Sequence, residues 1–555
     1  MNAAAPDPAQ PDARSDAAAD GTTGVRPGSD AGADRHPGAQ PLAIETVTVG
    51  IGPLLPDEVV AVARHDARVV LAPEALAAIA ETRRHIETLA ASERAVYGVS
   101  TGFGALATRH IPTERRTQLQ QSLIRSHAAG SGPEVEREVV RAMMLLRLST
   151  LATGRTGVRP IVAETYAAVL NAGLTPIVHE YGSLGCSGDL APLAHCALAL
   201  IGEGFVRDAA GRKRPSADAL AEAGIAPVTL AEKEGLALIN GTDGMLGMLV
   251  LACHDLGRLL TTADVIAAMS IEALLGTDHV LAADLVGLRP QPGQAVAAAN
   301  MRAVLAGSAV VASHRDDPGC VIVQDAYSLR CAPQVSGAAR DTLEHARRIA
   351  GYELAAAIDN PVVTLDGRVE SNGNFHGAPV GYVLDFLAIP VADLASISER
   401  RTDRFLDVRR SNGLPPFLAD DPGVDSGHMI LQYTQAGIVA ELKRLAVPAS
   451  VDSIPSSAMQ EDHVSLGWHA ARKLRRGLDG LARVLAGEAL TAARAGDLRG
   501  LPQAPAIRAV RDRIRELVSG PGPDRFLAPE LEAVVGLVTS GELVAAAERV
   551  TGPLD

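Results

Sequence analysis

A mostly α-helical fold dominated by long helices is predicted by three features of this sequence. Apolar residues make up 47% of its 555 residues but aromatic residues only 3%, so the core rests on Ala, Leu and Val. Ala and Leu lead the helix scale, whereas the rings that favour strands are scarce. Apolar positions recur at helical spacing over long stretches, and no repeat with a period of about 20 to 50 residues points to a solenoid.

Taken in order, residues 1–41 are rich in Ala, Pro, Asp and Gly and, apart from Met1 and Val25, hold no large or branched apolar side chain. Such a segment cannot bury enough surface to offset its ordering entropy and is expected to be a disordered tail. A first strand is expected over 44–49. A helix is expected over 73–92, where Leu76, Ile79, Ile86 and Leu89 recur at helical spacing. Further helices are expected over 134–151, 235–262, 336–357, 380–405, 425–445 and 464–493. Gly and Pro cluster in the connections at 289–293, 316–319 and 412–416. Loops presented by a rigid bundle are where chemistry is expected.

The balance of 51 basic and 65 acidic residues gives a net charge of −14, which repels phosphate backbones and anionic membrane surfaces. A nucleic-acid partner is therefore not expected. No uninterrupted apolar run of about 18 residues and no signal-peptide pattern is present, so neither a membrane partner nor secretion is expected, and the location reads as cytoplasmic. Cys186, Cys196, Cys253, Cys320 and Cys331 are odd in number and widely spaced, which argues against disulfides and against a structural metal site.

Some generic signals are set aside. Gly98-Val99-Ser100-Thr101-Gly102 matches a nucleophile elbow in form, but the α/β sheet that elbow requires is not indicated. Gly102-x-Gly104-x-x-Ala107 is a degenerate dinucleotide loop without a surrounding βαβ unit, and there is no phosphate-binding loop. No nucleotide cofactor is expected. The segment Gly182-Ser183-Leu184-Gly185-Cys186-Ser187-Gly188-Asp189-Leu190-Ala191-Pro192-Leu193 stands apart; its bland reading is a glycine-rich turn entering a helix.

That segment resembles the signature of the aromatic amino acid ammonia-lyases, in which a small residue, Ser and Gly condense with loss of two waters into a methylidene-imidazolone ring. The residue types suit the chemistry. Gly188 has no Cβ to keep its amide nitrogen from the carbonyl carbon of Cys186, and Ser187 carries a β-hydroxyl that can leave as water. The first residue contributes only backbone atoms, so Cys186 can stand where Ala is more usual. Other separated stretches carry the resemblance from about Leu42 to the carboxyl terminus: Tyr97-Gly98-Val99-Ser100-Thr101-Gly102-Phe103-Gly104, Asn240-Gly241-Thr242, Gln324-Asp325-Ala326-Tyr327-Ser328-Leu329-Arg330-Cys331, Asp359-Asn360-Pro361 and Asn372-Gly373-Asn374-Phe375-His376.

The resemblance implies a helical bundle of the aspartase and fumarase type with a smaller mixed N-terminal region. Its catalytic region would cover 42–555, with an electrophile-bearing part at about 42–250 and a central and C-terminal bundle at about 251–555. It implies a homotetramer whose active sites draw on more than one subunit. It also implies roles: Cys186, Ser187 and Gly188 as the source of the electrophile, Tyr97 as general base, Arg330 on the substrate carboxylate, Asn240, Gln324 and Tyr327 orienting the amine and the ring, and Phe375 as a wall. Ser100 and Met459 depart from the family's more frequent Asn or Thr and Asn.

Two positions bear on the substrate. Ser126-His127 resembles the pair of the histidine-specific members, and Glu461 in Gln460-Glu461-Asp462-His463-Val464-Ser465 matches their acidic residue. A carboxylate can accept an imidazole N–H and stabilise its positive charge, whereas beside a phenyl ring it would be buried without a partner. L-Histidine converted to trans-urocanate and ammonia is the implied reaction. A tyrosine or phenylalanine lyase or 2,3-aminomutase is the alternative within the family, and a catalytically silent ligand-binding paralogue the alternative outside enzymes.

Overall fold

Proline at the first or second position starts several helices, where a missing N–H costs nothing and a fixed φ is already helical; Pro56–His65, Pro73–Ala90, Pro160–Asn171, Pro292–Leu305 and Pro505–Arg515 all begin this way. The structure, a computed structural model, describes residues 44–91, 98, 100–102, 109–315 and 323–555. All of these fall within one compact unit, Gly38–Asp555. Tyr97 and the expected connection at 316–319 lie outside the described residues.

The described chain is mostly helical, and its longest helices form the core. Asp243–Ala273, Ala378–Leu406 and Gly467–Arg499 pack on one another, flanked by Arg137–Ala152, Ala332–Leu354 and Met429–Leu445. A buried ion pair ties the three central helices together. Arg401 Nη2 donates to Glu488 Oε2 at 2.8 Å, and Ser270 Oγ donates to Glu488 Oε1 at 2.6 Å. Two of these helices, Asp243–Ala273 and Ala378–Leu406, are long and apolar enough to cross a membrane by length and composition, yet 72% and 61% of their most apolar windows are buried inside the protein. Isolated charges break the uninterrupted apolar run that the sequence scan required.

Strands are few and short. Thr46–Val49 pairs in parallel with Arg68–Leu71, register Thr46 to Arg68, across the Pro56–His65 helix. Ser131–Glu134 pairs antiparallel with His179–Tyr181, and Thr175–Pro176, Phe205–Arg207 and Lys213–Pro215 form a three-stranded antiparallel sheet.

The expected helices are present with shifted ends, except one. The stretch 235–262 is not one helix: Glu234–Ala237 stops, and Asp243–Ala273 begins after a break holding Asn240 and Gly241. Gly241 has φ +155°, a conformation outside the helix, and the apolar run on both sides concealed the break. The second helix also runs straight through position 250, so the division suggested there falls inside a continuous element. Its break places a loop at the head of a core helix.

Candidate active site

The loop 182–189 sits where four helices begin. Leu190–Leu200 follows it directly, and Asp243–Ala273, Ala378–Leu406 and Gly467–Arg499 start beside it. A Cβ on Gly377 would lie 2.6 Å from Met245 Sδ and 2.8 Å from Ser465 Oγ, and one on Gly467 2.7 Å from Met245 Sδ. Helix N-termini carry partial positive charge and unpaired N–H groups, so this point favours negative charge.

Backbone contacts fix the loop. Asp189 N donates to Gly241 O at 2.8 Å and Gly241 N to Ser187 O at 3.3 Å. Gly188 has φ +78°, and a Cβ there would stand 1.9 Å from Gly241 O; no other residue fits. The Asp189 carboxylate, fully buried, accepts from Ser183 Oγ at 2.9 Å and from the Gly244 and Met245 N–H groups at 3.0 and 2.9 Å. Burial pushes Asp189 up to about 7 against those three donors. On the other side Ser465 Oγ donates to Gly185 O at 3.2 Å, and Leu466 N to Leu184 O at 3.0 Å. Ser187 is half-buried at the centre of this frame.

Buried charges join the other motifs to it. Asn240, 2% exposed, donates from Nδ2 to Leu236 O at 3.2 Å, and its carbonyl accepts from Arg147. Arg147 also donates to Ala237 O and Ile358 O at 3.2 and 2.8 Å and pairs with Asp243 at 3.4 Å. Lys233 Nζ meets Asp359 Oδ2 at 2.5 Å, with both side chains fully buried. Burial pushes Lys233 down and Asp359 up, and each opposes the other's shift through its charge. Asn372 N donates to Asn360 Oδ1 at 3.1 Å and Asn372 Nδ2 to Asp359 O at 2.9 Å, linking the Asp359 and Phe375 segments. Asp359 belongs to a stretch singled out in the sequence, but Lys233 and its pairing with Asp359 were not; a lone Lys 126 residues away gives no local signal.

A second cluster holds the residues expected to face the far end of the substrate. His127 Nδ1 lies 2.9 Å from Leu123 O, which fixes the proton on Nδ1 and leaves Nε2 as an acceptor. Burial lowers the His127 pKa, opposed by the Leu123 carbonyl and the charge of Glu461. Ser456 Oγ donates to Glu461 Oε2 at 2.8 Å. Burial first, and then the charge of the same carboxylate, push the Cys186 thiol up to about 12, so it stays neutral. The charge of Glu461 thus reaches both Cys186 and His127. His376 Nε2 and His463 Nδ1 meet at 3.2 Å with stacked rings beside half-buried Phe375.

Gln324, Tyr327 and Arg330 are placed differently. Gln324 is exposed, Tyr327 is 71% exposed, and the Arg330 guanidinium lies over the Tyr327 ring at 4.7 Å. Among the described residues the polar contacts of this segment run from Asp325 to Thr277 N and from Ser328 O to Arg401, away from the triplet. Tyr97 lies outside the described residues; at its neighbour Gly98, φ +75°, a Cβ would lie 3.5 Å from both Lys233 Cδ and Pro361 Cδ. Among the described residues Cys186, Cys196, Cys253 and Cys331 are free thiols, and no group of three or more His, Cys, Asp or Glu side chains is arranged to hold a metal ion.

Residues 54–516 match the model of the aromatic amino acid lyase family. The chain is 65% identical over 513 residues to a histidine ammonia-lyase of Streptomyces avermitilis, covering 92% of this chain and 100% of that one. It is 49% identical over 516 residues to one of Symbiobacterium thermophilum, again covering 92% and 100%. Similar solved structures include a tyrosine aminomutase of Streptomyces globisporus, TM-score 0.87 and 39% identity, covering 91% of this chain and 99% of that one. A histidine ammonia-lyase of Trypanosoma cruzi superposes with TM-score 0.84 and 37% identity, covering 91% and 95%.

The Lys233–Asp359 pair yields a stability test. Lys233→Met strands a buried carboxylate and should lower the unfolding free energy by about 3–5 kcal/mol, read as a fall in the urea midpoint. A loss under about 1 kcal/mol would mean that water reaches the pair and that it does not hold the motif loops.

Proposed function

The chain belongs to the aromatic amino acid lyase family, and we propose that it acts on L-histidine, removing ammonia without oxidation to give trans-urocanate in histidine breakdown. The observation that carries the choice of substrate is the Glu461 carboxylate, held by Ser456 Oγ at 2.8 Å, with His127 and Cys186 within reach of its charge. An imidazole offers that carboxylate an N–H and a positive charge; a phenyl ring offers neither and would leave the lone pairs not taken by Ser456 without a donor from the substrate. The same contrast disfavours a phenylalanine lyase or aminomutase; a tyrosine phenol could donate its O–H to the carboxylate, and against a tyrosine enzyme the positive charge that only an imidazole carries makes the distinction.

The residues at the loop fit the electrophile that the family implies. Gly188 stands where a Cβ would overlap Gly241 O, and Ser187 carries a β-hydroxyl in a frame ringed by helix N-termini. Cys186, Ser187 and Gly188 would form the methylidene-imidazolone, which would supply an electrophilic methylene to activate the substrate's amino group for departure. The chain's own residues do the rest. Tyr97 takes the β-proton, which requires a phenol titrating well below its ordinary value of about 10. Asn240 orients the amine and Arg330 clamps the carboxylate, a bidentate task suited to guanidinium. His127 accepts an imidazole N–H at Nε2, Glu461 stabilises positive charge on the ring, and Phe375 closes the wall.

Gln324, Tyr327 and Arg330 are read as reaching the pocket from another subunit of a homotetramer. Their contacts within one chain run to Thr277 and Arg401, and Tyr352, Tyr382, Phe386 and Ile389 expose apolar helix surface suited to assembly. The enzyme is read as cytoplasmic, with no nucleic-acid or membrane partner.

Tyr97→Phe keeps the ring and removes the proton acceptor, so kcat should fall about 10²-fold or more with little change in substrate affinity. Wild-type turnover in that variant would require another base. Glu461→Gln should cost about 10- to 150-fold in kcat/KM on L-histidine, the equivalent of about 1.5–3 kcal/mol for a bond to a charged group, and nothing on residual L-phenylalanine turnover. An equal loss on both substrates would separate Glu461 from imidazole recognition.

A further inference from the structure

We propose that Ser456 is a positioning residue of the imidazole subsite, acting through Glu461; the inference rests on the role given to Glu461 above. The two residues face each other across the loop 456–461, closed by Ser456 N to Glu461 O at 2.8 Å and Glu461 N to Ser456 O at 3.2 Å. The Ser456 hydroxyl adds a third bond, to Glu461 Oε2 at 2.8 Å. Between them Ser457, Ala458 and Met459 have φ of 50°, 53° and 70°, a left-handed run that residues other than glycine rarely adopt in succession. Such a run persists where its surroundings over-determine it. Here the Ser456–Glu461 bonds close it, and beyond it Val464 N donates to Ser453 Oγ at 2.9 Å while Ser465 binds Gly185 O.

This turn ends at the Glu461 carboxylate, whose charge acts on both the Cys186 thiol and His127. A glutamate side chain has several rotatable bonds, and a free one would lose that freedom only when substrate binds. With Oε2 held by Ser456, the carboxylate is oriented beforehand and keeps lone pairs for the ring N–H. The hydroxyl is the feature required. Ser456 is extended, φ −135° and ψ 179°, so threonine fits the backbone and keeps the donor.

Steady-state kinetics on L-histidine with wild type, Ser456→Ala and Ser456→Thr, each with Glu461 and with Glu461→Gln, test this. Ser456→Ala should raise KM about 5- to 20-fold with a smaller change in kcat, and Ser456→Thr should stay within about 2-fold of wild type. Against Glu461→Gln, the alanine change should add less than about 2-fold. Ser456→Cys, which keeps the size and weakens the donor, should fall between alanine and wild type and gives the same reading if the alanine variant does not fold. Wild-type KM in Ser456→Ala, an undiminished effect with Glu461→Gln, or failure of threonine to restore KM would overturn the role of Ser456 while histidine turnover by the wild type stands. Wild-type turnover of tyrosine or phenylalanine and not histidine would overturn the imidazole reading with it.

Discussion

Ser187–Asp189 and Gly241 lie backbone against backbone, so close that a single carbon on Gly188 would overlap the Gly241 carbonyl. Much else in the molecule holds that contact. Gly241 sits in a break that ends one short helix and starts a core helix, and Asp189 caps the start of the core helix with its carboxylate. A loop pressed this tightly needs rigid anchors, and long buried helices beginning at the loop provide them. The helical character that composition predicts is thus also what brings several positive helix ends to one point.

Buried charge is the second theme. Arg147, Lys233, Asp359, Asp243, Arg401 and Glu488 are all buried, and desolvating a charge is costly unless it is paired and hydrogen-bonded. Each is partnered. The partners lie on separate elements, so each pair acts as a crosslink: Arg401–Glu488 between core helices, Lys233–Asp359 and Arg147 between the loops carrying Asn240, Asp359 and Phe375. Removing one member leaves the other stranded, which makes the arrangement specific to one geometry.

Some of this was legible in the sequence and some was not. Helical periodicity located the core helices, because a buried helix must repeat apolar residues at 3.6-residue spacing. Gly188 was legible because its role depends on lacking a Cβ, a property of the residue itself. The break at 238–242 was hidden, since the apolar run Leu236-Ala237-Leu238-Ile239 reads as helix until Gly241 turns away from it. Glu461 was found through resemblance, but Ser456 was not, because a serine that works through one neighbour's side chain has no pattern of its own. Lys233 and Asp359 meet only in three dimensions. The grouping of Gln324, Tyr327 and Arg330 with the triplet does not follow from one chain's contacts, which run to Thr277 and Arg401.

Intact-protein mass tests the central claim most directly, that this loop is built to let Cys186, Ser187 and Gly188 cyclise. Loss of two waters should leave the purified wild-type protein about 36 Da below the mass its sequence requires, after allowance for Met1, and Ser187→Ala should sit at the unmodified mass with nearly all activity gone. Active wild-type protein at the full, unmodified mass would contradict the account, whatever its substrate.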